Sequence, residues 1–273
     1  MSLSKSVFER VKLKLGITIP VKVDLEGLTL VYDAWSKGVG YDNINLIKFL
    51  EGDSKGTVPV LPVEDFFESW LDHELANFCW ANSEALRALL EAFGFQTSRV
   101  IGSMKTWRKL PGNFVLPHGS LMVFIDTQQY LVDATFLIEE PLPINEGIDT
   151  CAGNGSLKLW SYSDGKIRWQ LPQGRFDAAF QIERLDVSYD EFFEEHKRTV
   201  DGLHNGRLYQ DKLYFRRNLG GGTITFDQGH IIRRSGEHFS IEKVDRTNPI
   251  EKLKTVFDLS DAALKGLPPK SFF

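Results

Sequence analysis

Residues 76–95 read ANFCWANSEALRALLEAFGF and place Cys79 at the beginning of a segment with helical periodicity. Apolar residues recur on one face of this predicted helix: Leu86, Leu89, Leu90 and Phe93. Gly94 is a typical residue at a helix C-terminus. The unpaired N–H groups and the positive dipole end at a helix N-terminus favour a thiolate, although cysteine is also among the most often buried residue types. The segment by itself allows a reactive cysteine or a packed one.

The sequence before this segment also has helical spacing. From residue 3 to about 95, apolar residues recur three and four positions apart, with Gly or Pro between the segments. The predicted helical segments are SKSVFERVKLKLG, LEGLTLVYDAWSKG, DNINLIKFLEG and LPVEDFFESWLDHEL. Residues 1–95 are therefore predicted to form a helical region that carries Cys79.

After Gly94 the chain changes to short segments of strand composition. These are FQTSRVIGSM, GSLMVFID, QYLVDATF, KLWSY and KIRWQLP, and turn residues separate them. A helical segment, VSYDEFFEEHKRTV, then leads to three strand-containing segments and a last helix, NPIEKLKTVFDL. The fold class predicted is α+β, with a β-rich middle at residues 96–200 and a small α/β unit at residues 201–273.

The composition argues against several classes of protein. The 273 residues are 42% hydrophobic and 25% charged, which is typical of a soluble globular protein. A net charge of −5 offers no basic surface for nucleic acid. No signal peptide and no apolar segment of membrane-spanning length is visible, so a cytoplasmic protein without a membrane partner is expected. Two cysteines are too few for a disulfide scaffold, and no cluster has metal-ligand spacing. The oligomeric state stays open.

A nucleophilic cysteine needs an imidazole base, and the base needs a carboxylate to orient it. His118 opens the segment LPHGSLMVFID, and Asp133 lies in the next segment, QYLVDATF, among apolar residues. An acid in such a strand requires a partner. Alternatively, His118 is a loop histidine after Pro117, and Asp133 caps a turn or points outward from an edge strand.

The register of the hairpin between these two segments limits the pairing. If Thr127 and Gln128 form a two-residue loop, Asp133 lies opposite Met122, about 13 Å from His118. A β-bulge, a longer loop or a bend at Gly119 would bring the two side chains together. The sequence does not distinguish these possibilities.

The order Cys79, His118, Asp133, with intervals of 39 and 15 residues, is similar to that of the arylamine N-acetyltransferase family. GVGYDNINL resembles the family's V-P-F-E-N-L-D segment, and YLVDATF resembles its Y-L-V-D-V-G-F strand. LPVEDFFESWLDHELANFCW resembles the stretch that ends in R-G-G-x-C, and GHIIRRSGEHFSIEKV resembles a late hairpin. The resemblance covers most of the chain. It implies a helical bundle, a central β-barrel and a C-terminal α/β lid around a Cys-His-Asp core.

The resemblance also implies an activity. The chain would transfer an acetyl or other acyl group from a thioester donor, through an acyl-enzyme on Cys79, to an arylamine or N-hydroxyarylamine. His118 would act as base and Asp133 would hold the imidazole. Tyr41 and Phe136 match aromatic positions that would contact the acceptor. The implied co-substrate is acetyl-coenzyme A, and no metal is implied.

Two family motifs are altered in this chain. The family's R-G-G-x-C is L-A-N-F-C at residues 75–79, and its D-V-G-F-G is D-A-T-F-L at residues 133–137. Because a Cβ atom limits close contact between backbone and phosphate, we expect weaker coenzyme binding and assign no residue to it. The remaining alternatives are an amide synthase acting on a carrier-bound polyketide, a Cys-His-Asp hydrolase and a non-catalytic homologue.

Overall fold

The structure is a computed structural model of the chain. The residues that it describes are 3–51, 62–106, 116–145, 147–153, 158–163, 166–170, 176–206, 212–220, 222–236 and 238–273.

Helices dominate the described part of the first 95 residues. In chain order the helices are α1 (Lys5–Lys14), α2 (Leu25–Gly38), α3 (Ile44–Glu51), α4 (Val63–His73), α5 (Cys79–Ala92), α6 (Tyr189–Gly206), α7 (Pro249–Phe257) and α8 (Asp261–Leu264). A short 3-10 helix, Pro269–Phe272, ends the chain. Trp35 of α2 stacks on Phe66 of α4 with ring centroids 6.2 Å apart. These large aromatic rings hold α2 and α4 together, because each buries an apolar surface of considerable area.

Most of the strands belong to a central sheet. The strands are β1 (Tyr41–Asp42), β2 (Gln96–Thr106), β3 (Leu116–Ile125), β4 (Gln128–Val132), β5 (Leu142–Ile144), β6 (Thr150–Ala152), β7 (Lys158–Ser161), β8 (Lys166–Gln170), β9 (Phe176–Arg184), β10 (Tyr214–Asn218), β11 (Gly222–Asp227), β12 (His230–Ser235) and β13 (His238–Lys243). Eight of them form one sheet in the order β5-β4-β3-β2-β9-β8-β7-β6. Its edge strands β5 and β6 lie beside each other, and Thr150 donates a hydrogen bond to the Pro143 carbonyl across this gap. The sheet is therefore a nearly closed barrel, which confirms the α+β class.

A second, five-stranded sheet connects the two ends of the chain. Its order is β1-β10-β11-β12-β13, and Tyr41 of β1 lies opposite Arg216 of β10. Phe257 of α7 packs edge-on against Phe215 of β10, with centroids 4.8 Å apart. A strand from the helical region thus extends the C-terminal sheet and brings β10 close to the segment that precedes Cys79.

The β3–β4 hairpin differs from the expected register by one loop position. Ile125 pairs with Gln128, so the two-residue loop is Asp126 and Thr127 rather than Thr127 and Gln128. Asp126 adopts a left-handed φ of 52°, which such tight turns require. A shift of the loop by one residue moves every cross-strand partner by two positions. Asp133 therefore follows the Leu121–Val132 pair, two positions closer to His118 than expected, and its side chain comes within reach of the imidazole. The expected strand QYLVDATF ends at Val132, and no bulge is needed.

Candidate active site

Cys79 is the first residue of α5, as its periodicity predicts. Phe78 precedes it in an extended conformation, and no side chain caps the N-terminus of the helix. The first N–H groups of an α-helix have no acceptor within the helix, so they contribute positive potential around the Cys79 thiol. The side chain is buried. This environment favours negative charge on the sulfur or on an oxygen held beside it.

Two buried side chains hold the loop that leads to Cys79. Asp42 Oδ2 accepts a hydrogen bond of 2.7 Å from the Ala76 amide. Asn82 Oδ1 accepts one of 3.0 Å from the Asn77 amide, and Asn82 Nδ2 donates to the Gly40 carbonyl at 3.0 Å. Burial raises the pKa of Asp42 to about 6, although the backbone amides that donate hydrogen bonds to its carboxylate oppose this shift. These bonds hold the loop in position before Cys79, in a segment where the arginine and glycines of the family motif are absent.

His118 in β3 joins the cysteine to the acid. Its Nε2 lies 2.6 Å from Asp133 Oδ2, and Cys79 is close enough to the ring to raise the pKa of the imidazole. All three side chains are buried. Since Nε2 faces the carboxylate, Nδ1 is the nitrogen left for the thiol. The structure therefore brings the three predicted residues together in the order thiol, imidazole, carboxylate.

The charges around His118 make it a strong base. Burial alone lowers the pKa of the imidazole, but the facing Asp133 and Cys79 outweigh burial and raise it to about 10. Phe136 stacks on the ring at 5.3 Å, and Phe180 meets it edge-on at 5.2 Å. Two aromatic rings thus shield the imidazole, whose protonated form is stabilised at neutral pH.

Asp133 is held from within its own turn. Its Oδ1 accepts from the amide and hydroxyl of Thr135, both at 2.9 Å, and from the Phe136 amide at 3.0 Å. Burial would raise the pKa of this carboxyl, but the His118 imidazole and these donors hold it below its ordinary value. The acid is thus kept ionised, and Oδ2 is directed at the imidazole.

The two predicted substrate-binding residues occupy different positions. Phe136 is 4% exposed and lies against the His118 ring, where it shapes the imidazole environment. Tyr41 is half-buried and makes edge contacts with Phe78 at 6.0 Å and Tyr214 at 5.8 Å. Tyr41 therefore packs against the residue that precedes Cys79. A role for Tyr41 and Phe136 in substrate binding stays a prediction.

A buried histidine, His196, lies near the site, although the polar segment that carries it favours a surface position. His196 of α6 stacks on Trp80, the residue after Cys79, with an interplanar angle of 12°. Phe192, one turn earlier, contacts the same ring edge-on at 4.7 Å. A Cβ on Gly119 would lie 2.6 Å from Trp80, so only glycine fits beside His118. The four-residue spacing of Phe192 and His196 was the available signal for a shared buried face.

We expect the His196→Phe variant to be less sensitive to acid than the wild type. Burial lowers the pKa of His196 from 6.5 to about 4, so the unfolded chain binds a proton in this range that the folded chain excludes. Stability therefore falls as the pH drops, by up to about 3 kcal/mol from this residue. A phenyl ring stacks on Trp80 and cannot be protonated.

Urea unfolding at about pH 7 and about pH 4.5 measures this difference. A change of the exposed His238 to Phe is the matched control and should leave the pH dependence as it is. Equal loss of stability in wild type and His196→Phe would contradict the assignment.

The residues that match the family's coenzyme motif do not form an open backbone site. Thr135 and Leu137 stand where the family has glycines, and both are buried. Leu137 has a left-handed φ of 57°, a conformation that glycine adopts without strain. The amides of Thr135 and Phe136 are already bonded to Asp133. These two amides are therefore not available to the phosphates of a coenzyme.

Within the described residues, no group of three or more His, Cys, Asp or Glu side chains is arranged to hold a metal ion. The helices in that part of the chain also include none with the length and hydropathy needed to span a bilayer.

Comparisons with known proteins identify the family. A family model described as N-acetyltransferase matches residues 24–262, whereas curated protein sequences yield no match. Three solved arylamine N-acetyltransferases share the fold. The protein of Mycobacterium abscessus is 13% identical, with 95% of this chain and 93% of that chain covered and a TM-score of 0.73, and that of Salmonella typhimurium is 17% identical, with 97% and 98% covered and a TM-score of 0.70. The protein of Bacillus cereus is 14% identical, with 94% of this chain and 100% of that chain covered and a TM-score of 0.71. The Bacillus cereus protein is described as having a Cys-His-Glu triad. Since the family model covers most of its length, the chain belongs to the arylamine N-acetyltransferase family.

Proposed function

We propose that the chain transfers an acetyl group, or another small acyl group, to an arylamine or N-hydroxyarylamine by way of an acyl-enzyme on Cys79. The observation that carries this proposal is the buried group of Cys79, His118 and Asp133 at an uncapped helix N-terminus, in which the imidazole is hydrogen-bonded to the carboxylate and Cys79 raises its pKa. A cysteine paired with an imidazole whose other nitrogen meets a carboxylate is an activated nucleophile. Membership of the family supports the same activity.

Acylation begins from a thiolate on Cys79 and a proton on His118. The sulfur bonds to the carbonyl carbon of the acyl ester or thioester, and the resulting oxyanion lies at the start of α5, where the Cys79 amide can donate to it. One such donor contributes roughly 3 to 4 kcal/mol in other enzymes. As the bond to the leaving group breaks, His118 gives that group its proton. The product is a thioester on Cys79.

Deacylation reverses the roles of the same groups. The amine attacks the thioester carbon, and His118, now neutral, takes the proton that the nitrogen loses. The carbon–sulfur bond breaks and restores the thiolate beside the imidazolium. Asp133 keeps the imidazole oriented in both half-reactions and stabilises its charge. No step requires a metal.

An aryl acceptor fits the aromatic surroundings of the thiol. Tyr41, Phe78 and Tyr214 form an edge-packed group that includes the residue before Cys79, and Phe136 covers the imidazole. Aromatic rings prefer such offset and edge contacts, so a planar amine is the substrate class favoured here.

The cysteines Cys79 and Cys151 are both free, which is consistent with the proposed cytoplasmic location.

We expect p-nitrophenyl acetate to add one acetyl group to Cys79 and an arylamine to remove it. Intact-protein mass spectrometry, with peptide mapping, measures the adduct, and chromatography measures the N-acetylated product. Cys151 is exposed and gives the matched control: Cys151→Ser should acquire the label as the wild type does, whereas Cys79→Ala should not.

The same experiment separates transfer from hydrolysis. A label that disappears in buffer as fast as with amine, and yields free acetate, would identify a hydrolase. Labelling of Cys151 in preference to Cys79 would overturn the proposed nucleophile.

A further inference from the structure

The turn that carries Asp133 is hydrogen-bonded by side chains from two distant parts of the chain. We call residues 133–137 the acid loop. Its backbone carbonyls accept hydrogen bonds as follows: Asp133 from the Tyr32 hydroxyl at 2.7 Å, Ala134 from Trp35 Nε1 at 3.4 Å, Thr135 from Arg216 Nη2, and Leu137 from Asn218 Nδ2 at 2.9 Å. Buried carbonyls require partners, and here these side chains supply them.

The four donors come as two pairs. Tyr32 and Trp35 lie one turn apart on α2 and are fully buried. Arg216 and Asn218 are two positions apart on β10, so their side chains share one face of the strand, and both are buried. The acid loop is therefore held from the helical region on one side and from the C-terminal sheet on the other.

The peptide planes of the loop link these contacts to Asp133. The carbonyl of Thr135 and the amide of Phe136 belong to one planar peptide unit. Arg216 holds the oxygen end of this unit, and the N–H end donates to Asp133 Oδ1 at 3.0 Å. A cation on the carbonyl also polarises the N–H and strengthens its bond to the carboxylate. Arg216 thus acts on the acid through a single rigid peptide group.

Asn218 holds the far end of the loop. It donates to the carbonyl of Leu137, whose φ of 57° is one that leucine rarely adopts. Such a backbone conformation persists only when its surroundings impose it. The contact from Asn218 therefore helps to keep the loop in the shape that presents its amides to Asp133.

We propose that Arg216 and Asn218 are positioning residues through which the C-terminal sheet sets the orientation of Asp133 and the reactivity of the Cys79–His118 pair. The inference rests on the proposed function in that the pair is taken as the reactive centre. Neither side chain contacts the reacting atoms in this assignment. They act through the acid loop.

Loss of these contacts should change the pKa of His118. The titratable or charged groups that face its ring are Asp133 and Cys79, and the other rings against it, Phe136 and Phe180, are neutral. If the loop loosens, Asp133 Oδ2 moves away from Nε2 and the imidazolium loses its main stabilising charge. The pKa of His118 should then fall, and thiolate formation should require a higher pH.

The test compares Arg216→Met with Arg217→Met in the full chain. Arg217 is the next residue of β10, points to the opposite face and bonds to Glu74 Oε2 at 2.8 Å, so the two variants remove the same side chain from opposite faces of one strand. NMR titration of the His118 ring and the pH profile of iodoacetamide alkylation at Cys79 measure the protonation and reactivity of the Cys79–His118 pair without any acyl substrate. Steady-state rates and thermal unfolding are measured in parallel.

In Arg216→Met we expect the pKa of His118 to fall by about one unit and the midpoint of the alkylation profile to move to higher pH. We expect kcat to fall about 10- to 100-fold with little change in KM, as for other side chains that orient a reactive group. Arg216→Lys keeps a cationic donor and should recover most of both properties. Arg217→Met should leave the His118 titration as in the wild type.

A His118 titration and alkylation profile unchanged in Arg216→Met, with only a lower Tm, would overturn the proposal, since a merely structural arginine produces that result. If Arg216→Met does not fold, Asn218→Leu removes the second contact while keeping the number and branching of side-chain heavy atoms, and it is judged by the same readouts. A wild type that alkylates as expected but transfers no acyl group would refute the proposed function, while the shift in Arg216→Met would still support the positioning role.

Discussion

The Asp133→Asn variant should fold and lose about 10³- to 10⁴-fold of its kcat/KM for acyl transfer, by analogy with the loss of the acid in other triads. The amide keeps an oxygen that can accept from the Thr135 and Phe136 amides. Its NH₂ group, however, cannot accept from the His118 Nε2–H and carries no charge to stabilise the imidazolium. The acylation and deacylation steps both depend on that charge.

The stability of the same variant should change with pH in a defined direction. The pKa of His118 is raised from 6.5 to about 10, so its interaction with Asp133 stabilises the fold fully below pH 6.5 and is lost as the pH rises through about 10. The wild type should therefore exceed Asp133→Asn in stability at neutral pH, and the difference should shrink toward pH 10.

Steady-state rates with p-nitrophenyl acetate and an arylamine, together with urea unfolding at several pH values, measure these effects. Asp126→Asn is the matched control, because Asp126 is an exposed aspartate in the turn of the same hairpin, at a left-handed φ that asparagine tolerates. Retention of a tenth or more of the wild-type rate in Asp133→Asn would contradict the role of the acid.

The second large effect concerns the acyl donor. We expect p-nitrophenyl acetate to acylate Cys79 readily and acetyl-coenzyme A to do so only at high concentration. Thr135 and Leu137 bury side chains where the family motif has glycines, and the nearby amides of residues 135 and 136 are bonded to Asp133. Two missing hydrogen bonds to phosphate, at about 1.5 to 3 kcal/mol each, correspond to a loss of about 100-fold or more in affinity.

S-Acetylpantetheine provides the matched control for the donor. It carries the same thioester and pantetheine arm without the nucleotide, so any advantage of acetyl-coenzyme A over it measures recognition of the nucleotide and its phosphates. We expect similar rates of Cys79 acylation by the two thioesters at equal concentration, followed by intact mass. Acylation by low micromolar acetyl-coenzyme A, absent with S-acetylpantetheine and abolished in Cys79→Ala, would show that the chain binds the coenzyme in another way.

The sequence predicted the fold class, the helix that begins at Cys79 and the strand that His118 opens, whereas the strand expected to include Asp133 ends at Val132. These features depend on local properties: the spacing of apolar residues, β-branched composition and the position of Gly94. The family resemblance was confirmed by the family model over residues 24–262. Its implication of a barrel was confirmed by the near closure of the eight-stranded sheet.

The hairpin shows where local pattern was insufficient. Both possible loops contain Thr127, and the aspartate of the observed loop is the better turn residue, but only the loop at Asp126 and Thr127 carries Asp133 toward His118. Strand register depends on which residues are buried against the rest of the protein, and a slip of one loop residue moves each cross-strand partner by two. The alternating composition of the two strands does not contain that information.

The sequence by itself determined which residues have the chemistry for a thiol–imidazole–carboxylate site and, for Cys79 and His118, the elements on which they lie. Only the tertiary structure decided how that site is held. The donors to the acid loop lie far from it in sequence: Tyr32 is 101 positions from Asp133, Arg216 is 81 positions from Thr135, and Asn218 is 81 positions from Leu137. His196 likewise reaches Trp80 only through the packing of α6. Periodicity and propensity report interactions between neighbours along the chain, whereas these side chains meet because separate elements must bury their apolar faces together and satisfy the polar groups that become enclosed.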